Sequence, residues 1–226
     1  SHHCPTAATM PLSRRKQLLA KARELDAIIV EDDYEFEMSF LEPALPALKS
    51  LDNDGRVIYV GSFSKSLFPG MRLGYLVGPA PFIKEARALR ASVFRHPPGH
   101  IQRTAAYFLS LGHYDALIKR MSKQYEERYL EMEKSLTKFN LKIAGKAQHG
   151  GSSFWVETPK CTNAVKLAQK LLEMDVVIEP GDPFFVGENH PKNFIRLAYS
   201  SISTNKIAAG VELIAKAISD TGPITA

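Results

Sequence analysis

Apolar positions recur along this chain at two spacings that alternate. Residues 12–25, LSRRKQLLAKAREL, are apolar every three or four positions, which predicts an amphipathic helix. Shorter runs rich in β-branched or aromatic residues predict strands. These runs are AIIVED at 27–32, RVIYVGS at 56–62 and RLGYLVG at 72–78. Strands that alternate with helices indicate an α/β sheet covered on both faces, with ligand sites outside the strand ends.

The second half opens with a long helical pattern. It follows the turn HPPGH at 96–100 and continues to about residue 138 with one apolar stripe. The stripe consists of Tyr114, Ile118, Met121, Tyr125, Tyr129, Met132 and Leu136. Further segments predict strands at 153–157, 176–180 and 194–200 and helices at 163–174 and 206–218. We therefore expect a larger domain over 1–138, which ends in the long helix, and a small α+β domain over 139–226.

Composition narrows the class of protein. A chain of 226 residues with 45% apolar and 23% charged residues can bury a substantial core. It contains no apolar run of about eighteen residues and no basic leader followed by an apolar stretch, so we expect a cytoplasmic protein that does not enter a membrane. The two cysteines, Cys4 and Cys161, are too few for a disulfide framework. Ser1 in place of an initiator methionine suggests a piece of a longer protein.

A net charge of +5 and a pI of about 9.1 raise the question of nucleic acid. The charges are interspersed, however, and residues 113–138 hold six Lys or Arg against five Asp or Glu. A surface that binds DNA would be more one-sided. These residues alone are not expected to read DNA.

The strongest chemical signal lies in residues 61–75, GSFSKSLFPGMRLGY. Ser62 and Ser64 precede Lys65, and Arg72 follows seven positions later. Hydroxyl donors and a guanidinium fork match the oxygens of a phosphate. A lysine in such surroundings is suited to covalent bonding with an aldehyde. The segment therefore predicts a site for pyridoxal phosphate, an aldehyde that carries a phosphate.

In the stretch IIVEDDYEFE at 28–37, a predicted strand is followed by a cluster of acidic residues. The ring nitrogen of pyridoxal phosphate requires a buried carboxylate, and Asp32 at the strand end is the candidate. Alternate residues of an extended chain share a face, so we expect Tyr34 to lie beside Asp32 and to reach the phenolic oxygen of the ring. The remaining acids are interpreted as surface or structural groups: Glu31, Asp33, Glu35 and Glu37.

These residues match a known family. VEDDY, whose Asp32 stands thirty-three positions ahead of Lys65 in SFSKSLFPGMRLGY, resembles the class I/II aminotransferases of fold-type I. SHHCPTAATMPLSRRKQLL and GHYDALIKRMSKQYEERY, at residues 1–19 and 112–129, resemble the effector domain of MocR-type regulators of the GntR family. The resemblance covers nearly the whole chain. It implies part of the large domain's sheet with flanking helices, plus a small C-terminal α+β domain.

The resemblance also implies a role for each site residue. Lys65 forms the covalent link to pyridoxal phosphate, Asp32 pairs with the pyridine nitrogen, and Tyr34 contacts the phenolate. Arg196 in FIRLAYS binds the carboxylate of an amino-acid effector or substrate. The phosphate is held by Ser62, Ser64 and Arg72.

Two positions depart from the family pattern. Ala7 stands where the pattern has glycine, and Cys4 stands where aminotransferases have an asparagine that contacts the cofactor. Although His2 and His3 precede Cys4, they do not predict a metal site, because neighbours on an extended chain point apart and no second ligand pair follows.

Three functions are compatible with this pattern. The first is an effector-sensing, pyridoxal phosphate-binding domain of a homodimeric MocR-type regulator, whose N-terminal DNA-binding module is absent here. An amino acid or amine is then the effector. The second is a free-standing class I/II aminotransferase, and the third is a dimerisation module without cofactor.

Overall fold

The computed structural model describes residues 1–145 and 147–220, and these form two compact units. The first unit contains Ser1, Met10–Ser39 and Pro43–Ser122. The second contains His2–Thr9, Phe40–Glu42 and the chain from Lys123 onward. The domain division after residue 138 stays a prediction.

Helices and strands alternate along the described chain. The helices are α1 (Leu12–Glu24), α2 (Leu48–Leu51), α3 (Ala80–Val93), α4 (Gly99–Ser110), α5 (His113–Lys138), α6 (Ala164–Leu172) and α7 (Thr204–Ser219). The strands are β1 (Ile29–Asp32), β2 (Val57–Ser62), β3 (Gly74–Val77), β4 (Lys142–Ile143), β5 (Ser153–Glu157), β6 (Glu179–Pro180) and β7 (Phe194–Ala198). The predicted α/β fold class is confirmed.

The first unit is built on a sheet with the order β1-β2-β3. β1 runs parallel to β2, and β3 runs antiparallel to it. The register pairs Asp32 with Val60 and Ser62 with Gly74. As a result, the ends of β1 and β2 and the start of β3 lie at one edge of the sheet.

Burial in the first unit is uneven. Val57 of β2 is fully buried, but Val30 of β1 is 64% exposed. Among the residues that the structure describes, α3 has none that is buried. Leu89 on this helix and Phe94 just after it are 67% and 78% exposed. Apolar surface of this extent is typical of protein contacts.

The second unit has a conventional core. Its antiparallel sheet has the order β4-β5-β7-β6 and packs against α6, α7 and the C-terminal half of α5. Apolar residues at helical spacing on the helices and at alternating positions on the strands meet in this core. The core includes Tyr129, Met132, Leu136, Phe154, Val156, Leu167, Leu171, Ile195, Leu197, Ile207 and Val211.

Three local predictions differ from the structure. The long helix predicted after the turn at 96–100 is two helices, because Gly112 adopts a φ of 74° in the left-handed region that ends a helix. The strand predicted at 176–180 is only Glu179–Pro180, and the amide of Val176 donates instead to the carbonyl of Leu171 in α6 at 2.9 Å. The two-residue strand β4 was missed because so short a segment carries no periodic signal.

Candidate functional site

Six of the seven predicted site residues come together at one edge of the first sheet. Asp32 ends β1, and Tyr34 follows it. Ser62 ends β2 and leads directly to Ser64 and Lys65. Arg72 lies two residues before β3, whose Gly74 is paired with Ser62. Parallel β1 and β2 together with antiparallel β3 therefore deliver these side chains to the same end of the sheet.

Lys65 lies in the turn that follows β2. The amide of Leu67 donates to the carbonyl of Phe63 at 2.9 Å, and the amide of Ser64 donates to Ser62 Oγ at 3.1 Å. The Lys65 side chain is 40% exposed, so its amine is accessible to a ligand.

A carboxylate that sequence reasoning treated as structural or surface faces this amine. Glu35 Oε1 lies 3.8 Å from Lys65 Nζ, and the Glu35 side chain is only 8% exposed. The Glu35 carboxylate therefore balances the charge of Lys65 at the edge where a phosphate is predicted. Because Glu35 follows β1 and Lys65 follows β2, the pairing of these strands brings the two residues together, and no local sequence pattern indicates this pair.

Asp32 is exposed, whereas the sequence predicted a buried carboxylate. It shares a face of β1 with the exposed Val30, while Glu31 between them is buried. β1 also ends at Asp32, and Tyr34 lies in the turn that follows, so the rule of alternating faces does not extend to Tyr34.

Arg72 has an unusual backbone conformation. Its φ and ψ are 48° and 42°, in the left-handed region, and it follows the 3-10 turn Pro69–Met71. Non-glycine residues rarely adopt this conformation, and those that do cluster at ligand-binding positions. The conformation starts β3 at the edge that carries Lys65, and the Arg72 side chain is exposed there.

The acids beside the site were interpreted as surface or structural groups, and three of them are buried. Glu31, Asp33 and Glu35 are all below 9% exposed. Asp33 accepts a hydrogen bond from the Tyr59 hydroxyl at 3.3 Å. Burial and the nearby Asp33 carboxylate raise the pKa of Tyr59 well above its usual range. Asp33 and Glu31 are therefore structural.

A second tyrosine, whose ring contacts that of Phe63, forms a similar bond. The Tyr114 hydroxyl donates to Glu37. Burial and this bond to Glu37 raise the pKa of Tyr114 above its usual range. Tyr114 therefore keeps its proton, and Glu37 is the acceptor of that bond.

Arg196, the seventh predicted residue, belongs to the second unit. It lies on β7, opposite Trp155 of β5 and Glu179 of β6. Its Nη1 donates to Glu179 Oε2 at 2.8 Å, and its Nη2 donates to Ser152 Oγ at 3.4 Å. The Arg196 side chain is 15% exposed.

The two departures from the family pattern also lie in the second unit. Ala7 is 6% exposed and adopts a φ of 55°, a conformation that glycine adopts more readily. Cys4 is an exposed free thiol. No group of His, Cys, Asp or Glu suited to a metal ion occurs within 1–145 and 147–220.

The chain matches the family model for aminotransferase class I and II over residues 1–214. It belongs to the class I and II aminotransferase family. The predicted recognition is thereby confirmed at the level of the superfamily, and the aminotransferase fold accounts for the mixed α/β architecture. None of the helices described in this aminotransferase-family chain is long and apolar enough to cross a membrane.

A curated relative supports the regulator branch of the resemblance. The chain is 57% identical to the HTH-type transcriptional regulator TauR of Rhodobacter capsulatus, over 96% of this chain and 45% of that protein. The predicted resemblance to aminotransferase-like regulators is confirmed by this match.

Solved aminotransferases share the fold. The kynurenine aminotransferase of Pyrococcus horikoshii has a TM-score of 0.88 at 32% identity, over 96% of this chain and 54% of that one. LysN, the alpha-aminoadipate aminotransferase of Thermus thermophilus, complexed with N-(5'-phosphopyridoxyl)-L-leucine, has a TM-score of 0.87 at 30% identity, over 96% and 56%. The chain spans about half the length of the relatives it matches.

Proposed function

We propose that this chain is the pyridoxal phosphate-binding, effector-sensing domain of a MocR/GntR-type transcriptional regulator. The observation that carries the proposal is the convergence of Lys65, Ser62, Ser64 and Arg72 with Asp32 at one sheet edge. The identity of 57% to a transcriptional regulator favours a sensor over an enzyme. DNA is then bound by a module outside this chain, and the regulator works in the cytoplasm, where its DNA is.

The residues at the edge fit this cofactor chemically. Ser62, Ser64 and Arg72 supply hydroxyl and guanidinium donors for phosphate oxygens. Lys65 offers an accessible amine for the aldehyde carbon, and Asp32 offers a carboxylate for a protonated ring nitrogen. When bound, pyridoxal phosphate supplies an aldehyde carbon that exchanges one amine for another. Tyr34 is proposed to contact the phenolic oxygen.

An amino acid or amine is the proposed effector. Its amine competes with Lys65 for the cofactor, and a carboxylate, where the effector has one, binds to Arg196. The guanidinium fork suits this role because two parallel N–H groups match two carboxylate oxygens. A homodimer is the proposed assembly, and the exposed apolar side chains of α3 are available for such a contact.

Reductive trapping tests the cofactor site. The chain is incubated with pyridoxal phosphate and reduced with borohydride, and its peptides are weighed by mass spectrometry. We expect a cofactor-sized mass on the Lys65 peptide and its loss in Lys65→Ala, with a loss of at least about tenfold in trapped cofactor, since the reaction needs that amine. Lys84→Ala, on the exposed helix α3, is the control and keeps full incorporation.

Equal trapping in wild type and Lys65→Ala would refute the site. Replacement of Arg72 by Gln should weaken uptake without preventing trapping at high cofactor concentration, because the amine remains while a phosphate donor is lost.

An aminotransferase is the second candidate. Identity of 32% to a solved kynurenine aminotransferase over 96% of this chain favours it. The two functions differ in turnover, because an enzyme transfers the amino group from a donor amino acid to a keto acid with ping-pong kinetics. A regulator domain binds the amine without sustained transfer. Product formation by the full-length protein therefore decides between them.

A further inference from the structure

Arg196 is already bound by a carboxylate of its own sheet. Glu179 lies directly opposite Arg196 in the β6–β7 register. Its Oε2 accepts from Arg196 Nη1 at 2.8 Å, while Ser152 Oγ lies 3.4 Å from Nη2. Two different side chains thus contact the two terminal nitrogens of the guanidinium.

The two members of this ion pair differ in their exposure. The Arg196 side chain is 15% exposed, and the Glu179 side chain is 48% exposed. A guanidinium that is largely removed from water needs an anionic partner. An exposed carboxylate loses little when it moves back into water. Glu179 is therefore the member that can leave, provided that another anion takes its place.

We infer that Glu179 is an internal competitor at Arg196, which any carboxylate ligand must displace. This inference rests on the proposed role of Arg196 in carboxylate binding. Glu179 keeps the guanidinium paired when no effector is present. It also sets a threshold for effectors, because a ligand must bind more favourably than a carboxylate that is already tethered nearby.

The competition has a measurable size. When a site is available for only a fraction of the time, its apparent affinity is the intrinsic affinity multiplied by that fraction. If Glu179 occupies Arg196 about nine-tenths of the time, its removal should tighten carboxylate binding on the order of tenfold. Glu179→Gln removes the negative charge while it keeps nearly the same shape.

Chemical modification of Arg196 measures the competition between Glu179 and a carboxylate ligand without any cofactor. The chain is treated with phenylglyoxal, which reacts with arginine, in sodium acetate or in sodium chloride of equal ionic strength. Mass spectrometry follows the peptide that contains Arg196, and the peptide containing Arg120, exposed on α5, is the internal reference. Acetate is the carboxylate probe, and its protection of Arg196 gives an apparent dissociation constant.

We expect Glu179→Gln to react faster at Arg196 and to be protected by roughly tenfold less acetate than wild type. Glu179→Asp, which keeps the charge on a shorter side chain, should lie between them. Glu157→Gln is the matched control, because Glu157 is also a cross-strand partner in this sheet but pairs with Lys142. It should behave like wild type.

Three results would overturn the inference. One is an equal protection constant in wild type and Glu179→Gln, and a second is the same shift in Glu157→Gln. Lack of acetate protection in every variant would also refute it. Trapping of pyridoxal phosphate on Lys65 is scored separately, so a failure of the cofactor proposal and a failure of this inference give different results.

Discussion

The buried carboxylate of Glu31 on β1 interacts with residues of two helices, α1 and α2. Glu31 lies on β1 and is 8% exposed. Its oxygens accept from the amides of Leu48 at 2.7 Å and Lys49 at 2.9 Å, in the first turn of α2. Nη1 of Arg15 on α1 lies 3.7 Å from Glu31 Oε1, and the Arg15 side chain is 4% exposed. Such bonds compensate the charge, which explains how an acid is tolerated beside the sheet.

Glu31→Gln should therefore destabilise the chain. The substitution leaves Arg15 buried without its anionic partner and replaces an acceptor oxygen by an amide donor that faces the α2 amides. We expect a loss of about 3 kcal/mol in the free energy of unfolding, measured by urea titration. Glu24→Gln is the control, since its ion pair with Lys21 is exposed, and it should lose less than about 0.5 kcal/mol. Similar losses in both variants would contradict this account.

At the scale of elements, Asp52 organises the connection from α2 to β2. Its carboxylate accepts from the amides of Asp54 and Arg56 at 3.1 Å each and of Val57 at 2.9 Å. Lys49 Nζ donates to it at 3.0 Å. Burial alone would raise the pKa of Asp52, but these bonds outweigh burial and lower it to about 2. The ionised form therefore defines where β2 begins.

This carboxylate makes stability depend on pH. Its folded-state pKa is below the ordinary value of 3.8, so its contribution is complete above pH 4 and is lost as the pH falls from about 4 to 2. Asp52→Asn should lower the free energy of unfolding by about 2 kcal/mol at pH 7.

Urea titrations at several pH values check this prediction. The difference between Asp52→Asn and wild type should shrink as the pH falls from 4 to 2. A difference that stays constant over this range would mean that the lost stability comes from packing and not from the charge.

Local sequence patterns predicted most helices and strands. They did not predict contacts between residues that are far apart in the sequence. The strand 153–157 and the helix α7 follow from neighbouring residues. A short apolar run predicts β5, which is buried on both faces, and apolar residues at helical spacing predict the buried side of α7. The position of Lys65 at one edge of the first sheet could also be anticipated, because ligand sites in such sheets lie outside the strand ends. The Glu179–Arg196 ion pair could not be predicted, because it depends on the register of β6 and β7, which are separated by thirteen residues. The exposure of Asp32 was missed because it depends on what packs against that face of β1, which neighbouring residues do not indicate.

At the scale of the molecule, the two units differ in how much apolar surface they bury. The second unit encloses a continuous core, including the fully buried Leu136, Val156 and Leu171. In the first unit, Leu89 and Phe94 are largely exposed on and just after α3. This contrast supports the proposal that the first unit supplies the contact between subunits.

Phe94→Ser should weaken self-association of the chain. Burial of a large apolar side chain contributes about 1.4 kcal/mol or more, and a symmetric interface contains it twice, so the dissociation constant should rise on the order of 100-fold. Sedimentation at several concentrations measures this. Leu130→Ser, an exposed site in the second unit, is the control and should sediment like wild type. If Leu130→Ser weakened self-association and Phe94→Ser did not, the contact would lie on the second unit.

The sheet of the first unit has a second end, opposite the one that carries Lys65. The loops there connect to the starts of β1 and β2 and to the end of β3, and Asn53 is exposed among them. A fluorescent label attached through a cysteine at Asn53, after replacement of the exposed Cys4 and Cys161, would occupy this far end. A fluorescent label can thus be attached at the end of the sheet opposite Lys65.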